Sequence, residues 1–139
     1  MKTRNPHGPG TVLKYPYVWR GSPGAPEPKL RTACLMFKKA LATGNTAIVI
    51  VSISDMPGPA PDFCIAIPSH EMERGGLSAF RNAFVHLDQY NVDQAENSFH
   101  YNPAARVMGT FSAQFVARLA KILADAIRSG RAARIERNQ

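Results

Sequence analysis

The clearest alternation of apolar and polar residues lies between Arg31 and Ser54, where two β-rich runs flank a short polar break. The break, Thr43-Gly44-Asn45, is typical of the turn in a strand–turn–strand unit. With the turn centred near Thr43, antiparallel pairing brings Arg31 within a residue or two of Ser54, and cross-strand Cβ atoms lie about 5 Å apart. The pattern therefore predicts a guanidinium beside a hydroxyl at one end of an apolar hairpin.

The second strand of this hairpin, residues 46–54, has two different faces. One face is wholly apolar, whereas the other is apolar at Ile48 and Ile50 and carries hydroxyls at Ser52 and Ser54. This order favours a strand that is buried at its start and enters a site at its end. The simpler interpretation is that the two serines mark the point where burial stops.

Period-two alternation predicts four further strands, over residues 11–19, 63–67, 83–92 and 96–101. In the first of these, four large side chains share one face, namely Leu13, Tyr15, Tyr17 and Trp19. We expect most of that stripe to be core, with Trp19 as the exception. The loop that follows is rich in Pro and Gly and leads directly into the hairpin.

Helical spacing predicts one turn over residues 69–74, capped by Ser69, and one long helix over residues 112–129, capped by Ser112. The long helix has an apolar stripe that we expect to be buried, formed by Phe115, Leu119, Ile122, Leu123, Ala126 and Ile127. The Arg-rich segment after the helix is expected to be solvated or to continue as a loose helix.

The elements and the length of 139 residues predict one α+β domain that is mainly β. We expect a flexible N-terminus over residues 1–9, the domain over 10–129 and a basic tail over 130–139. Cys34 and Cys64 lie in apolar runs and are expected to be reduced. No run approaches the roughly 20 apolar residues of a membrane span, so we expect no membrane contact and a cytoplasmic location.

Charged residues are unevenly distributed along the chain. The formal net charge of +7 divides into +7 for residues 1–46, −4 for residues 47–108 and +4 for residues 109–139. Basic ends around an acidic middle indicate an anionic partner, with nucleic acid as the first choice. A surface that is merely solvated is the alternative.

Two pairs of residues carry candidate chemistry. Arg31 offers planar, bidentate donors suited to phosphoryl oxygens, and Ser54 offers a hydroxyl beside it. His86 and Asp88 lie at i and i+2 on a predicted strand, where a carboxylate orients an imidazole and raises its pKa. The structural alternatives are a surface ion pair between Arg31 and Glu27, and a backbone turn satisfied by Asp88.

Other chemistry is poorly represented in the sequence. The four histidines are scattered and no cluster has metal-ligand spacing, so no metal site is predicted. No Gly-x-Gly-x-x-Gly, Walker A or Gly-x-Ser-x-Gly motif is present, so neither a cofactor nor a standard hydrolase is predicted. What remains is acid–base and electrostatic chemistry without a metal.

Short motifs follow one another in a recognisable order along the chain. A Gly-x-Val strand start at Gly10 precedes Arg31, and after it come Ser52-Ile53-Ser54, Gly76-Leu77, Asp88-Gln89 and Gly109-Thr110-Phe111-Ser112. Over about residues 10–128 this order resembles the PemK/MazF family of toxin endoribonucleases from toxin–antitoxin pairs.

The resemblance implies a small SH3-like β-barrel with a C-terminal amphipathic helix, usually a homodimer. It also implies metal-independent cleavage of single-stranded RNA, and inhibition by a cognate antitoxin whose acidic tail occupies the RNA groove. The catalytic residues expected on this basis are Arg31, Ser54, His86 and Asp88. The expected RNA contacts are Lys14, Trp19, Arg20, Lys29, Ser52 and Gln89.

The chain departs from the family pattern at Thr32, where the family has Pro, and at Ser54, where it has Thr. No loop histidine precedes Arg31, so the acid–base roles fall to Asp88 as base and His86 as acid, or to the pair as one unit. Two other functions stay open. One is a non-catalytic SH3-like module that binds nucleic acid, and the other is a CcdB-like protein-targeting toxin, although the chain end RIERNQ lacks the hydrophobic contact such a toxin uses.

Overall fold

The computed structural model describes residues 7–19, 29–96 and 98–137. Within these ranges the chain is mainly β, with one seven-stranded sheet and two α-helices. The strands are β1 (Thr11–Tyr15), β2 (Arg31–Ala40), β3 (Thr46–Ser54), β4 (Cys64–Ala66), β5 (Phe84–Gln94), β6 (Gly109–Thr110) and β7 (Ala133–Glu136). The helices are α1 (Ser69–Arg74) and α2 (Ala113–Arg128), and a 3₁₀ turn, Pro61–Phe63, precedes β4.

The strand order is β4-β5-β3-β2-β1-β6, and all neighbours along this path are antiparallel. β7 adds to β5 as the one parallel pair among the described strands. The β2–β3 hairpin turns where the sequence predicts, since Ala40 pairs with Thr46 around Thr43. The mainly antiparallel β architecture with few helices is therefore confirmed.

The sheet separates two apolar clusters. On one face Val51 and Ile53 belong to a cluster that includes Phe115, Leu119 and Leu123 of α2. On the other face side chains of β1, of β3 and of the segment just after β1 pack with one another, among them Leu13, Tyr15, Tyr17, Ile48 and Ile50. Successive strand residues point to opposite faces, so the alternation of the sequence predicted both clusters correctly.

β5 contains a large bulge opposite β3. Ile50 pairs with Asn91 and Ser52 pairs with His86, so β3 advances two residues while β5 advances five. Extra residues on one strand bend it and re-aim its side chains. Asp88 lies inside this bulge, two residues after His86, so the bulge shapes the end of the sheet where both residues lie.

Ser112 caps α2 as predicted, because its hydroxyl accepts a hydrogen bond from the Phe115 N–H. Glu71 on α1 accepts hydrogen bonds from the Ser112 N–H (2.9 Å) and Oγ–H (2.6 Å). Glu71 is 3% exposed, and its burial raises the pKa, but the two hydrogen bonds from Ser112 together with the charges of His70 and Arg74 outweigh burial and hold the pKa below its ordinary value. A buried carboxylate thus joins α1 to the start of α2.

Gly109 allows β6 to approach the end of α1 closely. A Cβ at this position would lie 2.2 Å from the carbonyl oxygen of Arg74 and 2.4 Å from the carbonyl carbon of Gly75. Backbone atoms cannot yield at such distances, so only glycine fits here. This glycine of the motif series therefore has a packing role.

The helices differ from the prediction in two details. α1 begins at Ser69 after Pro68 and has no side-chain cap. Ile127 is 41% exposed, because it lies about a quarter turn round α2 from the buried Ala126. No helix in the described part of the chain is long and apolar enough to cross a membrane.

One predicted strand is shorter than expected, and another is absent from the described residues. β1 ends at Tyr15 rather than at residue 19, because Pro16 lacks the N–H that a ladder needs. The segment predicted as a strand over residues 96–101 contains no strand among its described residues. Ser98 there accepts hydrogen bonds from the backbone N–H groups of His100 and Tyr101, which makes a local turn instead.

Two segments near the ends of the described residues make contacts that the sequence did not predict. His7, within the segment expected to be flexible, is buried and bonds the Tyr101 hydroxyl and the Ala105 carbonyl. Residues 133–136, expected to be a loose helix or solvated, form β7 beside β5. A strand edge satisfies the backbone groups of whichever segment reaches it, and RAARIE carries no local signal of that pairing.

Glu71→Gln should lower the free energy of unfolding by about 1–3 kcal/mol near neutral pH, because an amide replaces a buried acceptor of two hydrogen bonds. The lowered pKa means that the carboxylate stabilises the fold above its unfolded pKa of about 4.3, and that this contribution is lost as pH falls through the folded value. Urea unfolding at about pH 7 and about pH 3 should therefore show the variant approaching wild type at the lower pH. Glu73→Gln, exposed on the same helix, is the control, and an equal loss in both variants would contradict this account.

Candidate functional site

The open end of the β2–β3 hairpin carries Arg31 and Ser54. The paired register of the hairpin ends at Ala33 opposite Ser52, and Arg31 and Ser54 each lie two residues beyond that last pair on their strands. Residue parity places both on the face of Ala33 and Ser52. Arg31 is exposed and Ser54 is half-buried, so the predicted guanidinium–hydroxyl end lies at the protein surface.

Ser54 also contacts β5. Its Oγ lies 2.7 Å from Nε2 of His86, which is a hydrogen-bond distance. The same hydroxyl lies 3.0 Å from the Met56 carbonyl oxygen, to which it can donate, and accepts a weaker bond of 3.3 Å from the Met56 N–H. One member of each predicted pair, Ser54 from the first and His86 from the second, is therefore joined to the other by a hydrogen bond.

His86 is enclosed by three neighbours. The Trp19 ring meets the imidazole edge-to-face at a centroid distance of 5.2 Å. A Cβ on Gly58 would lie 2.8 Å from His86 Nδ1, so the loop after β3 closes over the other side of the ring. Cys64 pairs with His86 across β4 and β5, and its Sγ accepts a hydrogen bond of 3.1 Å from the Gly58 N–H. As a result His86 is only 3% exposed.

Burial lowers the pKa of His86, and it outweighs the charge of Asp88 and a backbone hydrogen bond to Met56, which both raise it. With a pKa below its ordinary value, the imidazole is neutral at neutral pH. Asp88 also acts on Tyr17, whose pKa is raised first by burial and then by the Asp88 charge. The charge of Asp88 therefore raises the pKa of both groups.

Two buried hydroxyls of this region, those of Ser52 and Tyr17, have no hydrogen-bond partner within the described residues. Ser52 is the cross-strand partner of His86, and the Tyr17 ring lies 5.4 Å from that of Trp19. Buried hydroxyls normally have partners, so each leaves a donor and an acceptor unused beside the His86–Trp19 contact.

The arrangement unites a permanent cation, a hydroxyl, a neutral imidazole and a carboxylate at one end of the sheet. A neutral imidazole accepts a proton, a guanidinium stabilises developing negative charge, and a hydroxyl donates to a phosphoryl oxygen. These are the functions required to deprotonate an alcohol and to stabilise the anion that forms when it attacks. Across the described ranges, no three His, Cys, Asp or Glu side chains group as a metal site requires.

Four of the predicted RNA contacts lie near this end but differ in exposure. Trp19 is half-buried against His86, and Lys29 is exposed two residues before Arg31. Ser52 is 1% exposed and Gln89 is 8% exposed, so both side chains face the interior rather than the surface. Direct contact with a ligand is therefore available to Trp19 and Lys29 but not to the other two in this conformation.

The other two predicted contacts are placed differently. Lys14 lies on the opposite face of the sheet, where its Nζ donates a 2.8 Å hydrogen bond to Thr32. It is therefore not brought to the Ser54–His86 pair. Arg20 lies outside the described residues, as does Glu27, so the suggested Arg31–Glu27 ion pair falls outside them too.

Sequence reasoning missed Gly58 and Cys64 as neighbours of His86. Gly58 lies in the Pro/Gly-rich turn just after Ser54, so the proximity of that turn to Ser54 was a usable signal. Cys64 had no such signal, because its position depends on the pairing of β4 with β5. Both cysteines are free, as predicted, and only Cys34 is fully buried.

No protein-family model, no curated protein and no solved structure matches this chain. The class of protein is therefore defined by the fold and the site together. It is a mainly β, basic protein whose sheet carries a Ser–His hydrogen bond beside an exposed arginine.

Asp88→Asn should lower the pKa of His86 further, because the charge of Asp88 raises that pKa in the wild type. An NMR titration of the imidazole C–H resonances measures the change. Asp125→Asn, on the exposed side of α2, is the matched control. An unchanged or higher pKa of His86 in Asp88→Asn would show that the carboxylate does not act on the imidazole.

Proposed function

We propose that this protein is a toxin-type endoribonuclease that cleaves single-stranded RNA without a metal ion. The observation that carries the proposal is the 2.7 Å hydrogen bond between Ser54 and His86, at the hairpin end where Arg31 and Ser54 both lie two residues beyond the Ala33–Ser52 pair. The net charge of +7 suits a polyanionic substrate, because neutralised phosphates release counterions.

RNA supplies its own nucleophile, the 2′-OH, for the proposed reaction. The 2′-OH loses its proton to a base, and its oxygen forms a bond to the adjacent phosphorus. The bond from phosphorus to the 5′-oxygen breaks, and that oxygen takes up a proton. The products are a 2′,3′-cyclic phosphate and a 5′-OH, and no cofactor is consumed.

His86 fits the role of the base, because its lowered pKa keeps the imidazole neutral and able to take the 2′-OH proton. The sequence alone favoured Asp88 as base and His86 as acid, or the two as one unit. We assign Asp88 to the stabilisation of the imidazolium that forms, so that the pair acts as a unit. Arg31 stabilises the charge that grows on the phosphoryl oxygens, and Ser54 donates to one of them.

The proposal extends to the assembly of the protein. An SH3-like barrel would join the two edges of the sheet, which carry β6 and β4. We further propose a homodimer that acts in the cytoplasm and is inhibited by a cognate acidic antitoxin. The +7 carried by residues 1–46 suits an acidic partner as well as RNA, because complementary charge favours association.

Arg31→Ala should lower the rate of RNA cleavage by about 10²–10³-fold, because one donor to the developing charge is lost. The assay incubates the protein with a long single-stranded RNA in EDTA and maps both ends of each fragment. Arg118→Ala, exposed on α2, is the matched control and should cleave at the wild-type rate. A substrate with a single 2′-deoxy nucleotide at the mapped position should resist cleavage there. Cleavage of that substrate, or an Arg31→Ala rate equal to wild type, would exclude the mechanism.

The pH dependence of cleavage should identify the role of His86. As a base, His86 must be neutral, so the rate should rise with pH through the lowered pKa, which lies below the ordinary value of about 6.5, and then level off. Asp88→Asn should move this inflection to lower pH. A rate that instead falls with rising pH over the same range would make His86 the acid.

A second candidate function is nucleic-acid binding without cleavage. The observation that favours it is the burial of His86, which is 3% exposed and already bonded to Ser54. An imidazole that stays covered has no access to a 2′-OH. RNA that is bound in an anisotropy assay yet stays intact in EDTA and in Mg²⁺ would favour this function over the first.

A further inference from the structure

A separate cavity of about 580 Å³ lies on the opposite face of the β1–β2 pair from Ser54 and His86. This volume is within the range of about 300–1,000 Å³ that is usual for small-molecule sites. The lining residues that matter for binding are Lys14, Leu30, His100, Asn102, Arg106 and Met108. None of the described residues that line the cavity is acidic.

The polar lining is cationic. Lys14 is exposed, and its bond to Thr32 uses one of the three donors of its ammonium group. Arg106 is exposed and forms no ion pair with a described residue. Two cations with unused donors attract an anionic group such as a phosphate. The Asn102 amide adds N–H donors beside them, while its Oδ1 accepts a 2.9 Å hydrogen bond from the Ala104 N–H.

The apolar lining is unusually exposed. Leu30, which lines the cavity, is 68% exposed. Phe99 and Val107, which are 79% and 44% exposed, are the chain neighbours of the lining residues His100 and Arg106. Within the cavity itself, the exposed Leu30 and the half-buried Met108 supply the large apolar side chains.

We propose that this cavity binds one nucleotide of a single-stranded RNA, with its phosphate on Lys14 and Arg106 and its base against Leu30 and Met108. The inference rests on the proposed ribonuclease function and names a substrate subsite for it. Inorganic phosphate would use only the cations, whereas a nucleotide uses the cations, the amide and the apolar wall together.

The cavity is also positioned to share one RNA strand with the Ser54–His86 pair. Leu30 is the residue directly before Arg31, and Lys14 directly precedes Tyr15, the cross-strand partner of Arg31. Neighbouring strand residues face opposite sides, so the two sites lie on the two faces of one strand end. An RNA strand that passes around this end contacts both.

The test measures binding of a fluorescent 2′-O-methyl RNA, which lacks the nucleophile and is not cut, to wild type, Lys14→Ala and Arg106→Ala. Each variant should weaken binding about tenfold, as expected for a lost charge-assisted contact. The slope of log K against log salt should fall by about 0.7 for each lost phosphate contact. Arg118→Ala, a basic residue on α2 outside the cavity, should bind as wild type does.

Titration with 5′-AMP, followed by NMR of the folded proteins, locates the site independently. Chemical-shift changes at Leu30 and at residues 99–107 on addition of 5′-AMP would support the subsite, provided that inorganic phosphate causes smaller changes at the same residues. Chemical-shift changes confined to Trp19 and His86 would overturn the inference. So would Lys14→Ala and Arg106→Ala variants that bind RNA as tightly as Arg118→Ala does. Binding of poly-glutamate in the cavity that 5′-AMP does not displace would also overturn it.

The two proposals fail in different ways. RNA cleavage that is unaffected by Lys14→Ala and Arg106→Ala, with unchanged binding, overturns the subsite but leaves the ribonuclease function. Binding of 5′-AMP in the cavity without any cleavage of RNA supports the cavity as a nucleotide site and overturns the ribonuclease function.

Discussion

The hydrogen bond between Ser54 and His86 depends on strand registers that must hold to a single residue. A slip of one residue in β3 would move every side chain of that strand to the opposite face, and Ser54 with them. Two features hold the register: the β2–β3 hairpin, which sets Ala33 opposite Ser52, and the β3–β5 pairing, which sets Ser52 opposite His86. These two pairings place Ser54 beside His86, and the β4–β5 pairing then adds Cys64 next to the imidazole.

The same face of the sheet is held by buried polar contacts away from the site. Asp93 on β5 is 2% exposed and accepts hydrogen bonds from the Tyr15 hydroxyl at 2.6 Å and from Ser98 at 2.9 Å. Arg137, just after β7, lies with its guanidinium 5.9 Å from the Tyr15 ring centroid. These contacts connect β1, β5 and the C-terminal segment, so the aromatic side chains beneath Trp19 are fixed from several elements at once.

Local sequence patterns predicted most of the secondary structure. The hairpin strands, the long helix and its Ser112 cap follow from periodicity and turn chemistry, which act over a few residues. The errors occur where tertiary contacts decide. β7 forms because the edge of β5 is available to it, and the segment around Ser98 turns because that hydroxyl caps nearby backbone groups.

The sequence by itself determined the mainly β architecture, the two faces of β3 and the β2–β3 hairpin at whose open end Arg31 and Ser54 lie, because hairpin pairing and alternation are local properties. Only the tertiary structure decided that His86 bonds Ser54, that Gly58 and Cys64 enclose the imidazole, and that Lys14 lies on the other face of the sheet. Those relations join segments that are far apart in the chain. They depend on strand order and on the bulge in β5, and no short-range pattern encodes either of these.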